Sequence, residues 1–128
     1  MIQNDFKISD RARSFKYAFN GFRIMFINEH NAWLHLIAAF CVIAAGIMFR
    51  ISIADWIAII IAIGLVFSLE AINTSIERLS DFVSPEKHIL IKEVKDLAAA
   101  GVLISAITAI VTGLIVFVPK IIALFVIE

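Results

Sequence analysis

A chain of 128 residues is one domain at most. With 62% of its residues hydrophobic and a mean hydropathy of +0.99, against the ~45–50% apolar share of soluble domains, it is excluded from the soluble class and is expected to live in a membrane. Its formal net charge is zero, so no bulk charge draws it to nucleic acid, and its single cysteine, Cys41, excludes a disulfide framework or a zinc spacing and is expected to be a small buried hydrophobe.

In chain order, the polar stretch from Met1 to Ile8 is expected to be loosely ordered. Ser9 or Asp10 is the expected cap of a helix over about 9–28. Phe15, Phe19, Phe22 and Phe26 form its apolar stripe, and Arg13, Lys16 and Asn20 lie on the other side. A run this charged does not span. It is expected to lie in the membrane surface as an amphipathic helix, phenylalanines down and basic groups among the headgroups.

From His30 to Phe49 there are 20 residues with no acid, lysine or arginine, the length that crosses a ~30 Å hydrocarbon core. This predicts a first span over about 30–50. It starts too late and runs too long for a cleavable signal peptide, so none is expected. Arg50 and Asp55 bracket a short turn, and a second span over about 55–80 opens on Trp56, an aromatic suited to the interface. Ser84-Pro85 is expected to be the N-cap and first residue of the last helix. That helix is polar through Asp96 in a cytoplasmic segment of about 81–96, then apolar over about 97–118, until Pro119-Lys120 marks the far surface. Gly101, Ser105, Ala109 and Gly113 recur every fourth residue, a ladder that lets another helix approach closely. The predicted fold class is an all-α integral membrane domain covering residues 1–128, with one surface helix and three transmembrane helices.

Lys7, Arg11, Arg13, Lys16 and Arg23 precede the first span, and Arg78, Lys87, Lys92 and Lys95 lie between the second and third; only Arg50 and Lys120 fall on the other side. Nine against two predicts that the N-terminus and the 78–96 segment are cytoplasmic, with the C-terminus outside.

The second span ends in Glu70, Asn73, Thr74, Glu77 and Asp81, which share an arc of about 100° on one helix face. Burying such groups near hydrocarbon costs roughly 2.5–3.5 kcal/mol each on the insertion scale, so a bound cation is expected to compensate. Glu70 lies about 21 Å beyond Trp56 along the helix, and Glu77 about 10 Å further, at the cytoplasmic boundary. Glu29 and Lys95-Asp96 stand at the starts of the other two spans, which brings the chemistry of all three to one level. There a cytosolic reactant meets a lipid headgroup. Glu29 and Glu77 make a hard-oxygen pair of the kind Mg²⁺ uses when it also holds phosphates. Lys95 offers charge to phosphate oxygens, and Glu70 suits a general base acting on a lipid hydroxyl. No GxxxxGK[ST] loop or kinase-type glycine loop is present in the sequence. The parts nevertheless supply what phosphoryl transfer needs, positioning and charge neutralisation.

The pattern Glu70-x-x-Asn73-Thr74-x-Ile76-Glu77-x-x-x-Asp81, followed by Lys95-Asp96 and Ala98-Ala-Ala-Gly-Val102, resembles the signature of the bacterial diacylglycerol kinase and undecaprenol kinase family. Phe26-Ile-Asn-Glu29 and Tyr17-x-x-x-Gly21 are similar to the same family, and the similarity covers roughly residues 11 to 118. The resemblance implies an inner-membrane lipid kinase that uses ATP and Mg²⁺, a homotrimer of three-span subunits whose active sites are shared between neighbours. It implies Glu70 as catalytic base and Glu29 with Glu77 as metal ligands. It also implies ATP contacts at Tyr17, Glu29, Glu77, Glu86, Lys87, His88, Lys95 and Asp96, with Asn73 and Asp81 supporting the site.

His35 stands where the proteobacterial diacylglycerol kinases carry a glutamate. Glu29-x-Asn31-x-x-x-His35 resembles instead the undecaprenol-phosphorylating branch of Gram-positive bacteria. That favours undecaprenol over diacylglycerol and implies lipid contacts at Glu70, Asn31 and His35. At Asp10-Arg11 the chain departs from the proteobacterial pattern, which has its arginine at the first of these two positions, so no nucleotide contact is carried over to Arg11. The competing reading is a small oligomeric transporter subunit with Glu70 as proton or cation carrier. Carriers keep their acid near the midplane, whereas nothing is charged between Asp55 and Glu70. A non-catalytic membrane subunit would leave the acidic face unexplained.

Overall fold

The computed structural model describes residues 8–126. The loose order expected of Met1 to Ile8 lies outside the described residues as far as Lys7, as does the share of Lys7 in the charge bias, while Ile8 is already helical. Among the described residues, the chain forms four helices and no strand: α1 (Ile8–Asn28), α2 (His30–Met48), α3 (Ile53–Val83) and α4 (Ile89–Val126). The last three are each long and apolar enough to cross a membrane, so the chain is a membrane protein of the expected class.

Helix α1 begins at Ile8, one residue earlier than expected, so Ser9 and Asp10 are helical residues and not caps. Asp10 instead pairs with Arg13 at 3.5 Å and its carbonyl accepts from the Ser14 hydroxyl at 3.0 Å. Phe15, Phe19 and Phe22 are exposed along α1, as a stripe dipping into lipid requires.

Helix α2 stops in a Schellman motif. The Ile51 N–H donates to the Gly46 carbonyl at 3.1 Å and the Arg50 N–H to that of Ile47 at 3.2 Å. Arg50 takes the left-handed position, φ 48°, which glycine more often fills. The turn delivers the chain directly to Ser52, whose hydroxyl accepts from the Asp55 N–H at 3.1 Å while the Asp55 carboxylate accepts from the Ser52 N–H at 3.1 Å. This reciprocal capping box starts α3. Asp55 also pairs with Lys120 of α4 at 3.4 Å, while at the other end Asp81 pairs with Lys95 at 2.8 Å. Helices α3 and α4 are therefore antiparallel, and they form the most extensive packing in the chain. An apolar core of Ile51, Ile59 and Val116 closes the end of the bundle at the α2–α3 turn, with Trp56, Phe49 and Phe117 packed against it.

Three further expectations need correction. Ser84 does not cap the last helix; it ends α3, its N–H donating to the Ser80 carbonyl, because nothing before Pro85 interrupts α3. Proline disfavours a helical residue before it, and Ser84 is extended at φ −140°, ψ 85°. The start of α4 is instead held by His88, whose Nδ1 accepts from the Leu90 N–H at 3.2 Å. Pro119 does not end α4, which continues to Val126; proline removes one backbone donor, and the apolar sequence on both sides carries the helix through. Cys41 is exposed on α2 rather than buried, as befits a helix with lipid on most of its surface. In the small-residue ladder only Ser105 is buried, and a Cβ built on Gly101 or Gly113 would meet nothing within 4 Å. Close approach at those two glycines is not made within one chain.

Gly46 is different. A Cβ there would stand 2.7 Å from the Trp56 ring and 3.1 Å from Ile51 Cδ1, so the α2–α3 turn is packed on its absence. Gly46→Ala is expected to lower unfolding stability in detergent by about 1–3 kcal/mol, the usual range for overpacking. Thermal or denaturant unfolding checks it, and an unchanged transition would show that the turn relaxes freely.

Candidate active site

Helix α3 runs unbroken through the expected polar face and buries Glu70, Asn73 and Thr74 on it. Thr74 turns its hydroxyl back to the Glu70 carbonyl at 2.9 Å, satisfying itself within the helix and leaving the carboxylates to face outward. Asn73 donates from Nδ2 to Glu77 Oε1 at 3.2 Å, one turn on, and so fixes that acid on the same side. Glu70 is only 2% exposed. One of its oxygens, Oε1, and Asn73 Oδ1 are buried without a hydrogen-bond partner in the chain. The nearest basic group to that orphan oxygen is His35 Nε2 of α2, 3.8 Å away, longer than a hydrogen bond.

These groups line one cavity of about 340 Å³. The α1–α2 break contributes Glu29, α2 contributes Asn31 and His35, α3 contributes Glu70, Asn73 and Glu77, and α4 closes the wall with small and apolar side chains such as Val102 and Ala106. The structure thus brings together the three glutamates singled out in the sequence and both polar residues expected near the lipid. Glu29 sits outside the spans, at the break before α2. Burial and the neighbouring Glu77 carboxylate hold its carboxyl above the usual carboxylate range, against the opposing pull of Arg78. Two acids within reach of each other's field, one of them steered by an amide, form a hard-oxygen donor set. Among the described residues no cluster of three or more metal-ligating side chains exists, so a cation here would rely on further oxygens from its substrate.

A second cavity, of about 650 Å³, opens beside the first at the α3–α4 connection. Glu86, Lys87, His88, Lys95 and Asp96 line it together with Asp81, which gathers five of the eight expected nucleotide residues; Glu29 and Glu77 line the first cavity instead. Lys95 is oriented by Asp81, at 2.8 Å, and Lys92 hydrogen-bonds Asp96 one turn along α4. Ser84 and Lys92, to which the sequence assigned no site role, line this cavity too; the i, i+4 spacing of Lys92 and Asp96 is the signal that identifies the second. Tyr17 is not brought in. It is exposed on α1 and lines neither cavity.

Comparison with known proteins bears on this geometry. Residues 16–117 match the family model described as prokaryotic diacylglycerol kinase. The chain is 37% identical over 108 residues to the undecaprenol kinase of Bacillus subtilis, covering 84% of this chain and 88% of that one. It is 32% identical over 114 residues to the diacylglycerol kinase of Synechocystis, covering 88% of this chain and 65% of that protein. It is 31% identical over 104 residues to the diacylglycerol kinase of Escherichia coli K12, covering 75% and 79% respectively. A buried carboxylate, on the helix that also lends Asp81 to a cavity lined by three lysines and three acids, is found in a chain that belongs to the prokaryotic diacylglycerol kinase family and is a lipid kinase with ATP as its co-substrate.

Proposed function

We propose that the chain transfers the γ-phosphate of MgATP to the hydroxyl of a polyprenol of the undecaprenol type, with Glu70 as general base. The observation that carries this reading is the burial of Glu70 in one cavity with His35, Asn31, Glu29 and Glu77, together with the cavity that Lys87, Lys92 and Lys95 line at the α3–α4 connection. As the lipid oxygen attacks the γ-phosphorus, Glu70 takes the hydroxyl proton. The bond from the γ-phosphorus to the bridging oxygen breaks, and ADP leaves with that oxygen. Glu29 and Glu77 would hold Mg²⁺, which neutralises phosphate charge when bound. Asn73 keeps Glu77 aimed, and Asp81 keeps Lys95 aimed at the phosphates. Glu86, Lys87, His88 and Asp96 contact the rest of the nucleotide. Because His88 Nδ1 is engaged in starting α4, its Nε2 is the nitrogen left for the ligand.

Two observations favour undecaprenol over diacylglycerol: the histidine at position 35, and the higher identity to the Bacillus subtilis undecaprenol kinase than to the two diacylglycerol kinases. The charge bias of the connecting segments supports a cytoplasmic placement of the site, in a bacterial inner membrane. A homotrimer with shared sites is part of the same proposal. It is supported by the small interior of one chain and by the open faces of Gly101 and Gly113, and Tyr17 would then serve a neighbour's nucleotide. Full activity from a verified monomer would remove that element.

The substrate is tested by ATP-dependent phosphorylation in micelles with undecaprenol and diacylglycerol offered separately. Higher kcat/KM with undecaprenol is expected, and the reverse order would overturn the choice of lipid. Glu70→Gln keeps the shape of the side chain and cannot accept the proton, so kcat should fall by about 10²–10⁴-fold with KM for MgATP little changed. Loss of MgATP affinity at intact kcat would make Glu70 a binding residue. Glu29→Gln and Glu77→Gln should each abolish most activity in a folded protein, and unchanged Mg²⁺ dependence in either variant would take that residue out of the site.

A further inference from the structure

The break between α1 and α2 is a single residue, and that residue is Glu29. Its backbone is extended, at φ −112° and ψ 114°, and its side chain makes no capping bond to α2 although it occupies the N-cap position. An acid there would ordinarily turn back to the free N–H groups of the helix start. Glu29 instead lines the cavity with Glu77, so the angle of the elbow is not fixed by its own side chain.

Trp33, one turn into α2, reaches back across the break. Its indole Nε1–H donates to the Phe26 carbonyl at 2.8 Å. Phe26 lies in the last turn of α1, where carbonyls have no intrahelical partner, so the indole supplies a donor that the helix itself does not. The same two residues meet edge to face, ring centroids 5.4 Å apart, and the Phe26 ring rests against Phe67 of α3 at 6.1 Å. Between these two anchor points, one on each side of the break, stands Glu29. The Glu29 N–H closes the last turn of α1 by donating to the Met25 carbonyl at 2.9 Å, and Met25 and Ala32 on either side are buried. A backbone tied on both sides within one turn has little freedom left in the dihedrals that aim the carboxylate.

We infer that Trp33 is a positioning residue for Glu29: its indole N–H bond to the Phe26 carbonyl locks the α1–α2 elbow and presents the Glu29 carboxylate beside Glu77. The inference rests on the reading of Glu29 and Glu77 as the metal-holding pair. Tryptophan offers this site a donor only, and phenylalanine keeps a flat ring without it, so Trp33→Phe isolates the hydrogen bond.

The test uses the full-length chain in detergent with Mn²⁺ and a non-hydrolysable ATP analogue, free Mn²⁺ being read by electron paramagnetic resonance. Trp33→Phe should weaken Mn²⁺ binding by about tenfold, the lower end of what an outer-shell partner contributes, while KM for the lipid stays within about twofold. Spin labels at Ala12 and Ile43, both exposed, should show a broader α1–α2 distance distribution in the variant. Trp56→Phe, at the α2–α3 turn, should alter neither readout. Unchanged Mn²⁺ affinity or an unchanged distance distribution in Trp33→Phe would overturn the inference. Glu29→Gln in the same assay separates the two levels. If it weakens Mn²⁺ and Trp33→Phe does not, the elbow alone is wrong; if Glu29→Gln leaves Mn²⁺ untouched, the metal reading fails and the elbow inference falls with it.

Discussion

Glu70 is a carboxylate 2% exposed in the apolar part of a membrane bundle, with one oxygen unpartnered in its own chain. Taking such a group out of water carries an effective penalty of several kcal/mol, and no lysine or arginine forms an ion pair with it among the described residues. What surrounds Glu70 follows from that constraint. A 31-residue α3 without an internal breaker is stiff enough to hold the acid at a fixed depth. Thr74 returns its hydroxyl to the helix backbone, so it adds no further unsatisfied group. Histidine 35 stands 3.8 Å off, near enough to polarise the acid and too far to neutralise it by a direct bond.

The same helix works as a ruler between two solvents. Glu70 lies in the cavity bounded by apolar α4 side chains, Glu77 one to two turns on is tethered by Asn73, and Asp81 a further turn on is tied to Lys95. The steps, about 10 Å from Glu70 to Glu77 and about 6 Å from Glu77 to Asp81 along the axis, lead from the apolar part of the helix toward its polar end. They also lead from groups suited to a lipid hydroxyl to groups suited to phosphates. A reaction between a lipid and a nucleotide needs such a gradient, because neither substrate enters the other's phase. A soluble kinase fold solves the problem with a glycine-rich loop; in the proposed mechanism the position of each residue along one helix replaces the loop.

Periodicity made much of this legible. The arc shared by Glu70, Asn73, Glu77 and Asp81 is a consequence of helical geometry alone, and so is the span around each apolar run. What escaped were the ends of elements. Ser84-Pro85 carries the composition of a helix start, yet α3 ran on to Val83 and used Ser84 as its stop, because local cap chemistry does not say which of two flanking helices owns it. The nitrogen of His88 took the capping role instead, a part that its ring can play only once the connection has placed it. Pro119 likewise reads as a stop, but in a long apolar helix the loss of one backbone donor is outweighed by continued burial in lipid. The Trp33–Phe26 bond spans two helices across a bend, and no sequence period encodes a bend. The burial of Cys41 was misjudged for a different reason: apolar in a membrane chain means facing lipid as readily as facing protein.

That last point bears on how the site is completed. Between helices in lipid there is no hydrophobic drive, since lipid tails are as apolar as leucine. Exposed Ile57, Ile60, Leu103 and Ile107 therefore ask for no partner. Small and polar positions are more telling, because a lipid chain gains little there and a second backbone gains close contact. A Cβ built on Gly101 or Gly113 would meet no side chain or neighbouring helix within 4 Å, while Gly46 is packed against Trp56 and Ile51. One chain thus uses the glycine at its α2–α3 turn in its own fold and leaves two glycines of α4 uncovered. Tyr17, a nucleotide residue by resemblance, also lines neither cavity of its own chain. A second copy packed on α4 accounts for the glycines, and a neighbour's α1 laid over the nucleotide cavity accounts for Tyr17. The proposed trimer explains both with one arrangement, whereas a monomer leaves each as a separate accident.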